Sequence, residues 1–444
     1  MQRLLKYTRV HKKFRGLSSI DQFPRSSVFS VFPIEKVRSC FPSLGRIVGG
    51  REAVFFDGPG GSQVPSSVTD AMSEYLLRHN ANTGMSFATS LETDELISEV
   101  LQACSDFIGC NDPTEIVFGQ NMTSLNFQLA SALSRTWKEG DEVVVTRLDH
   151  DGNVGPWSLA AEWSGATLRK IGVNREDCTL DMESANEAIT ERTVLVAIGA
   201  ASNLSGTIND IAKIVEIAHD VGAEVVVDAV HFAPHSLIDV SEIGCDFLLC
   251  SPYKFFGPHQ GLLWGKRDRM KELPVAKLRV ATEELPFRWM TGTQSHEGMA
   301  GTMAAIEHIA WIGRQVSGNP HLSRRDALIE AYGAIEEYER GLCLRMLEGL
   351  GQIEGVKVWG ITEPNRVSER APTISFTHPS MCAKEIAEKL AERGVFVWAG
   401  NFYALELTEA LGLEPEGVLR AGVLHYNSME EVDFFVDSVA EILR

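Results

Sequence analysis

No run of about twenty apolar residues occurs in this sequence, so it offers no helix able to cross a bilayer. Cysteine is sparse, with eight residues in 444 and no C-x-x-C pair. That spacing gives no support to a metal site or a thioredoxin-like centre, and it points to a reducing compartment. Positive charge is in deficit: 41 Lys and Arg stand against 60 Asp and Glu, a formal net charge of −19. Such a surface disfavours non-specific binding to nucleic acid or to anionic membranes. The acid excess reads as solubility and says nothing about a substrate. No Gly-x-Gly-x-x-Gly follows the first strand, which removes the dinucleotide-binding reading. Neither an internal repeat nor a low-complexity tract is present. What remains is ordinary globular composition, 44% hydrophobic and 23% charged, over a length that suits two lobes.

The first residues differ from the rest. Arg3, Lys6, Arg9, Lys12, Lys13, Arg15 and Arg25 face a single acid, Asp21, among several serines. Residues 1–28 are therefore set apart as a basic leader with three readings: an organelle transit peptide, a disordered tail, or a start codon placed too far upstream. The location expected is the cytoplasm, or an organelle on the first reading. Residues 29–48 are expected to pack with a small domain, and Ile34 to Leu44 to form one short helix.

Beyond them, six short runs rich in β-branched residues alternate with helical patterns: Glu115 to Gly119, Glu142 to Thr146, Thr193 to Ala200, Glu224 to Val230, Phe247 to Ser251 and Gly261 to Gly265. The runs are almost continuously apolar, as in parallel strands covered on both faces. Strand–helix alternation at this spacing predicts an α/β, doubly wound, mostly parallel-sheet domain over 49–308. A smaller α+β domain is expected over 309–444, with a link near Pro320 to Arg325. Ligands of such sheets lie at the carboxyl ends of strands.

Two strand ends carry chemistry. Asp228 closes VVVD, and Lys254 follows the next strand in SPYKFFGP, 26 positions later. Taken singly, an Asp at a strand end is ordinary turn chemistry and a Lys is ordinary surface. Together they suit pyridoxal 5′-phosphate, which needs a lysine for its aldehyde and a carboxylate to keep its ring nitrogen protonated. The segment resembles fold type I enzymes of the aminotransferase class V family, especially the cysteine desulfurase-like branch, and the likeness extends from Ile34 to Arg444.

The resemblance implies a Schiff base on Lys254, a pyridinium partner in Asp228, and a phosphate-binding turn at Asn121, Met122 and Thr123. It places Asn203 near the ring hydroxyl or substrate, His231 beside the ring, and Ser251 and Tyr253 on the phosphate. Thr293, in MTGTQSH, is implied to reach the partner subunit's phosphate, giving a homodimer with shared sites. Arg420 is implied to grip a substrate carboxylate. Desulfurases carry two histidines before Ala-Asn, one of which stacks on the ring; those positions here are His150 and Asp151. Either Asp151, at the stacking position, has another job, or the local register shifts and His150 covers the ring; His150 is the expected cover.

The largest departure is in WAGNFYA. Tyr403 stands where the branch has its nucleophilic cysteine, and Trp398 where it has a carboxylate-binding arginine. Cys382 lies 21 positions before Tyr403, and nothing in the pattern makes it a substitute. Trp398, Asn401 and Tyr403 are expected to line the substrate pocket. The reading is a homodimeric enzyme acting on a small amino acid or amine by transamination or lyase chemistry, with Lys254 as the base at Cα. Its rivals are a cysteine desulfurase or selenocysteine lyase, and a non-catalytic scaffold that binds the cofactor.

Overall fold

The computed structural model describes residues 32–444, so the basic leader lies outside the described residues. Seven strands, β1 (Ile116–Gly119), β2 (Glu142–Thr146), β3 (Thr167–Ile171), β4 (Thr193–Gly199), β5 (Glu224–Asp228), β6 (Phe247–Cys250) and β7 (Gly261–Gly265), form one sheet. Their order is β1-β7-β6-β5-β4-β2-β3. Pairings from β3 through β6 are parallel, and β7 runs antiparallel to both neighbours. Every residue of β2, β6 and β7 is buried, which is why these strands read as unbroken apolar runs.

All six expected strands are present, within a residue or two of the expected ends. β3 was not expected: TLRKI carries Arg169 and Lys170, and an edge strand needs no continuous apolar run. Sheet order reverses about β2, which lies between β3 and β4. The crevice at the carboxyl ends of strands beside such a reversal is where open α/β sheets bind ligands.

A second sheet holds β8 (Lys357–Trp359), β9 (Thr373–Thr377), β10 (Trp398–Gly400) and β11 (Val418–Gly422), antiparallel in the order β8-β9-β11-β10. The apolar run before β10 splits, because Val395–Phe396 pairs with Val54–Phe55 instead. The first of the described residues are tied to this region as well. Arg38 donates to the Tyr426 carbonyl at 2.8 Å and to Glu431 at 2.9 Å, and the Phe32 ring stacks on Tyr338 at 4.4 Å. The single helix expected over Ile34 to Leu44 is instead a helix at Ile34–Arg38 and a tight turn at Pro42–Gly45, since Pro42 lacks the N–H that a continuing helix requires. Residue 308 falls inside the helix His296–Ser317, and the break between that helix and Arg324–Gly351 comes at 318–323.

Candidate active site

Chain reversal at the ends of β1, β2, β4, β5 and β6 brings their following residues to one crevice. After β1, the Asn121 side-chain oxygen accepts the Ser124 N–H at 2.8 Å and caps the helix Met122–Leu133. The first N–H groups of a helix have no partner within it, so this turn is a ready anion site. It lies hard against β7: a Cβ on Gly261 would stand 2.3 Å from the Asn121 carbonyl carbon. Glycine is required there for the strand to pass.

Past β2, Asp149 accepts the Gly199 N–H at 2.6 Å and is buried. Burial pushes its carboxyl up to about 8, with the Asp228 charge adding and the Gly199 bond opposing. His150 Nδ1 accepts the Gly152 N–H at 2.9 Å, which leaves the proton of the neutral ring on Nε2. Burial lowers this imidazole to about 4, helped by the charges of Lys254 and Arg420, so the ring is neutral at physiological pH. Asp151 is exposed, and its N–H donates to the Tyr403 carbonyl at 2.6 Å. His150, and not Asp151, lines the crevice.

Asp228 ends β5 buried, its Oδ1 accepting the Val230 N–H at 2.8 Å. Burial raises it to about 6, against that bond and the charge of Lys254. Lys254 sits in the turn Pro252–Lys254 beyond β6, with Nζ donating to the Pro59 carbonyl. Burial drops the amine to about 7; Arg420 adds to the fall and Asp228 resists it. His231 pairs through Nε2 with the Thr373 hydroxyl at 2.9 Å, and burial holds it neutral.

The second sheet supplies Arg420 from β11. Its guanidinium lies 3.8 Å from the Phe402 ring centroid and donates from Nη1 to the Asn203 carbonyl at 2.8 Å. Asn203 in turn donates Nδ2 to the Phe402 carbonyl at 2.9 Å. Asn203 Oδ1, Asp149 Oδ2 and Arg420 Nε remain buried without a hydrogen-bond partner among the described residues.

A cavity of about 280 Å³ gathers these groups. All of the sequence-predicted site residues line it except Thr293 and Asn401. Thr293 is exposed in the loop before the helix His296–Ser317. Asn401 turns away to donate to Glu414 at 3.0 Å. Sequence reasoning missed Asp149, Phe402 and the Pro59–Gly60 turn, which also line the cavity. Asp149 and the turn had a signal: an Asp just beyond a buried strand, and a Gly/Pro cluster. A larger cavity of about 850 Å³ lies between the helices Ser66–Glu74, Ala88–Ile108 and His296–Ser317. Its lining of Leu96, Met303, Trp311 and several glutamates includes no lysine or arginine among the described residues.

The family model described as aminotransferase class-V matches residues 54–435. The chain is 33% identical over 423 residues to the aminotransferase-like protein FGM3 of Gibberella zeae, covering 93% of this chain and 99% of that one. It is 31% identical over 413 residues to a probable cysteine desulfurase of Halalkalibacterium halodurans, covering 90% and 95%. Among solved structures it resembles the apo cysteine desulfurase of Thermococcus onnurineus, with a TM-score of 0.81 and 28% identity over 93% of this chain and 98% of that one.

Proposed function

The chain belongs to the aminotransferase class-V family, and on that premise we propose that it is a homodimer that breaks a bond at Cα of an amino acid by transamination or elimination, without a thiol of its own. It is a pyridoxal 5′-phosphate-dependent enzyme of amino acid chemistry. The cavity suits that cofactor. Buried polar atoms are ordinarily satisfied, and here Asn203 Oδ1 and Arg420 Nε wait beside a lysine, an enclosed carboxylate and a helix N-terminus. When bound, the cofactor supplies a conjugated ring that takes up the electron pair released at Cα.

The chain's own residues do the rest. Lys254, half neutral near pH 7, offers a nucleophilic nitrogen and later a base for the Cα proton. Asp228 holds a proton on the ring nitrogen, and the turn at Asn121, Met122 and Thr123, with Ser251 and Tyr253, receives the phosphate. Neutral His150 presents an imidazole to one side of the cavity, and His231 stands nearby. Arg420 holds the substrate carboxylate. Thr293 serves the site of a second subunit, which accounts for its distance from this one.

The observation that carries this reading is Lys254 and Asp228 at the ends of neighbouring strands in one cavity. Borohydride treatment of protein loaded with the cofactor should attach its mass to Lys254. Colourless, untagged protein would defeat the reading. A desulfurase reading is favoured by the relatives' names but opposed by the lining, because no cysteine lines this cavity among the described residues. Cys382 is exposed at the start of the helix Ala383–Glu392. Supplying L-cysteine with a thiol reductant separates the two: sulfide and alanine mark a desulfurase, whereas transfer to a 2-oxo acid marks an aminotransferase.

A further inference from the structure

The mouth of the cavity is a wall of aromatic rings that the fold does not need. Trp398 is 52% and Tyr403 70% exposed, so neither is there to fill a core. Phe402 and Tyr403 both adopt left-handed backbone, with φ of 56° and 59°, a conformation costly for bulky side chains. Bonds from three directions hold it. Asn401 Oδ1 accepts the Tyr403 N–H at 3.2 Å, the Tyr403 carbonyl accepts the Asp151 N–H at 2.6 Å, and the Phe402 carbonyl accepts from Asn203 at 2.9 Å. Strain kept by so many ties, to display an exposed ring, marks a loop built for contact with something else.

Register fixes what the wall stands beside. Trp398 on β10 is directly opposite Arg420 on β11. Opposed residues of an antiparallel pair project from the same face, about 5 Å apart at Cβ. The indole also lies against Gly60, where an added Cβ would meet its Nε1 at 2.6 Å. The buried, unpartnered Nε of Arg420 asks for an anion, and the ring next to it asks for an apolar or aromatic group.

The charge inventory narrows the ligand. Among the described residues, the lysine and arginine in the lining are Lys254 and Arg420 alone. Lys254 is committed to the cofactor, which leaves one cation for one carboxylate. Arg147 and Lys170 lie outside this lining and face Glu406 at 3.8 and 2.5 Å.

Resting on the functional reading above, we infer that the substrate is a monocarboxylic α-amino acid with an aromatic side chain. Its carboxylate lies on Arg420 and its ring against Trp398, Phe402 and Tyr403. The test titrates the holoenzyme with L-phenylalanine, L-alanine and L-glutamate while following cofactor absorbance. Phenylalanine should half-saturate at least about tenfold below alanine, the factor that about 1.4 kcal/mol of ring contact gives. Glutamate should be the weakest.

Trp398→Ala and Tyr403→Ala should each cut the phenylalanine-over-alanine preference at least fivefold, and Tyr403→Phe should keep it. 3-Phenylpropanoate, which has no amino group, should quench tryptophan fluorescence of the holoenzyme, and propanoate should not. Equal half-saturation for alanine and phenylalanine, a preference for glutamate, or alanine variants at 398 and 403 that keep the wild-type preference would overturn the inference. So would a spectrum unmoved by any amino acid together with no quenching by 3-phenylpropanoate. Protein that takes up no cofactor defeats the functional reading instead, so the two failures are separable.

Discussion

An amine that titrates near neutrality is the most exacting claim made for Lys254, and it can be tested without substrate. Burial lowers this amine from the ordinary 10.5 to about 7. At pH 7 about half of it is then neutral, against roughly 3 in 10,000 for an unshifted lysine, a difference on the order of a thousandfold in reactive nitrogen. Two substitutions separate the causes. Arg420→Gln removes a positive neighbour, so the Lys254 pKa should rise. Asp228→Asn removes an attractive charge, so it should fall. Arg420 outweighs Asp228 in its effect on Lys254, so the rise should be the larger change. Competitive labelling of the apoenzyme with acetic anhydride from neutral to alkaline pH, read at Lys254 by mass spectrometry, gives the three midpoints. A wild-type midpoint near that of a surface lysine, or an Arg420→Gln midpoint below wild type, would refute this account of how the amine is activated.

Three more outcomes follow from the same geometry. Lys254→Met should stabilise the apoenzyme, because the unfolded chain keeps up to about pH 10.5 a proton that the folded chain releases near 7. The gain, a few kcal/mol at most by linkage, should be full below about pH 7 and shrink as pH rises, which melting curves of both proteins would reveal. For Asp149, held up to about 8 from 3.8, the sign reverses: its contribution falls as pH rises across that window. Asp149→Asn should flatten that part of the stability profile, and an unchanged slope in denaturant titrations would count against a buried, protonated Asp149. Gly261→Ala should cost about 1–3 kcal/mol and weaken cofactor binding at least tenfold, through displacement of the turn at Asn121; equilibrium dialysis and melting measure the two effects.

The buried strands of the large sheet were legible because helices on both faces force an unbroken apolar run, and the polar residue ending each run announces the crevice. β3 escaped because an edge strand with Arg169 and Lys170 carries no such run. Asp149 escaped because one carboxylate beyond a strand looks like turn chemistry until Gly199 is seen to donate to it. The positions of Phe402 and Asn401 depend on two consecutive left-handed residues, and no local pattern in NFYA demands those. Asn401 was expected to face the substrate; its amide instead braces the loop through Glu414 and the Tyr403 N–H.

This unevenness has a structural origin. The residues proposed to hold the cofactor stand at the ends of β1, β2, β4, β5 and β6, so the same chain reversals that build the large sheet also build their constellation. Trp398 and Arg420 come from the other sheet, and the loop carrying Phe402 and Tyr403 leaves it. The hydrogen bonds that join the two sets run from Arg420 to the Asn203 carbonyl, from Asn203 to the Phe402 carbonyl, and from Asp151 to the Tyr403 carbonyl, and the His150 and Tyr403 rings lie 5.4 Å apart. Two of the three end on backbone carbonyls of the loop, which any side chain at 402 or 403 can provide. Substitution at 398, 402 or 403 therefore leaves Lys254, Asp228 and the turn at Asn121 in place while changing what lies opposite Arg420. A thiol in that loop and a tyrosine in it are compatible with one and the same cofactor site, which is why the cofactor can be read from the strand ends and the substrate only from the loop.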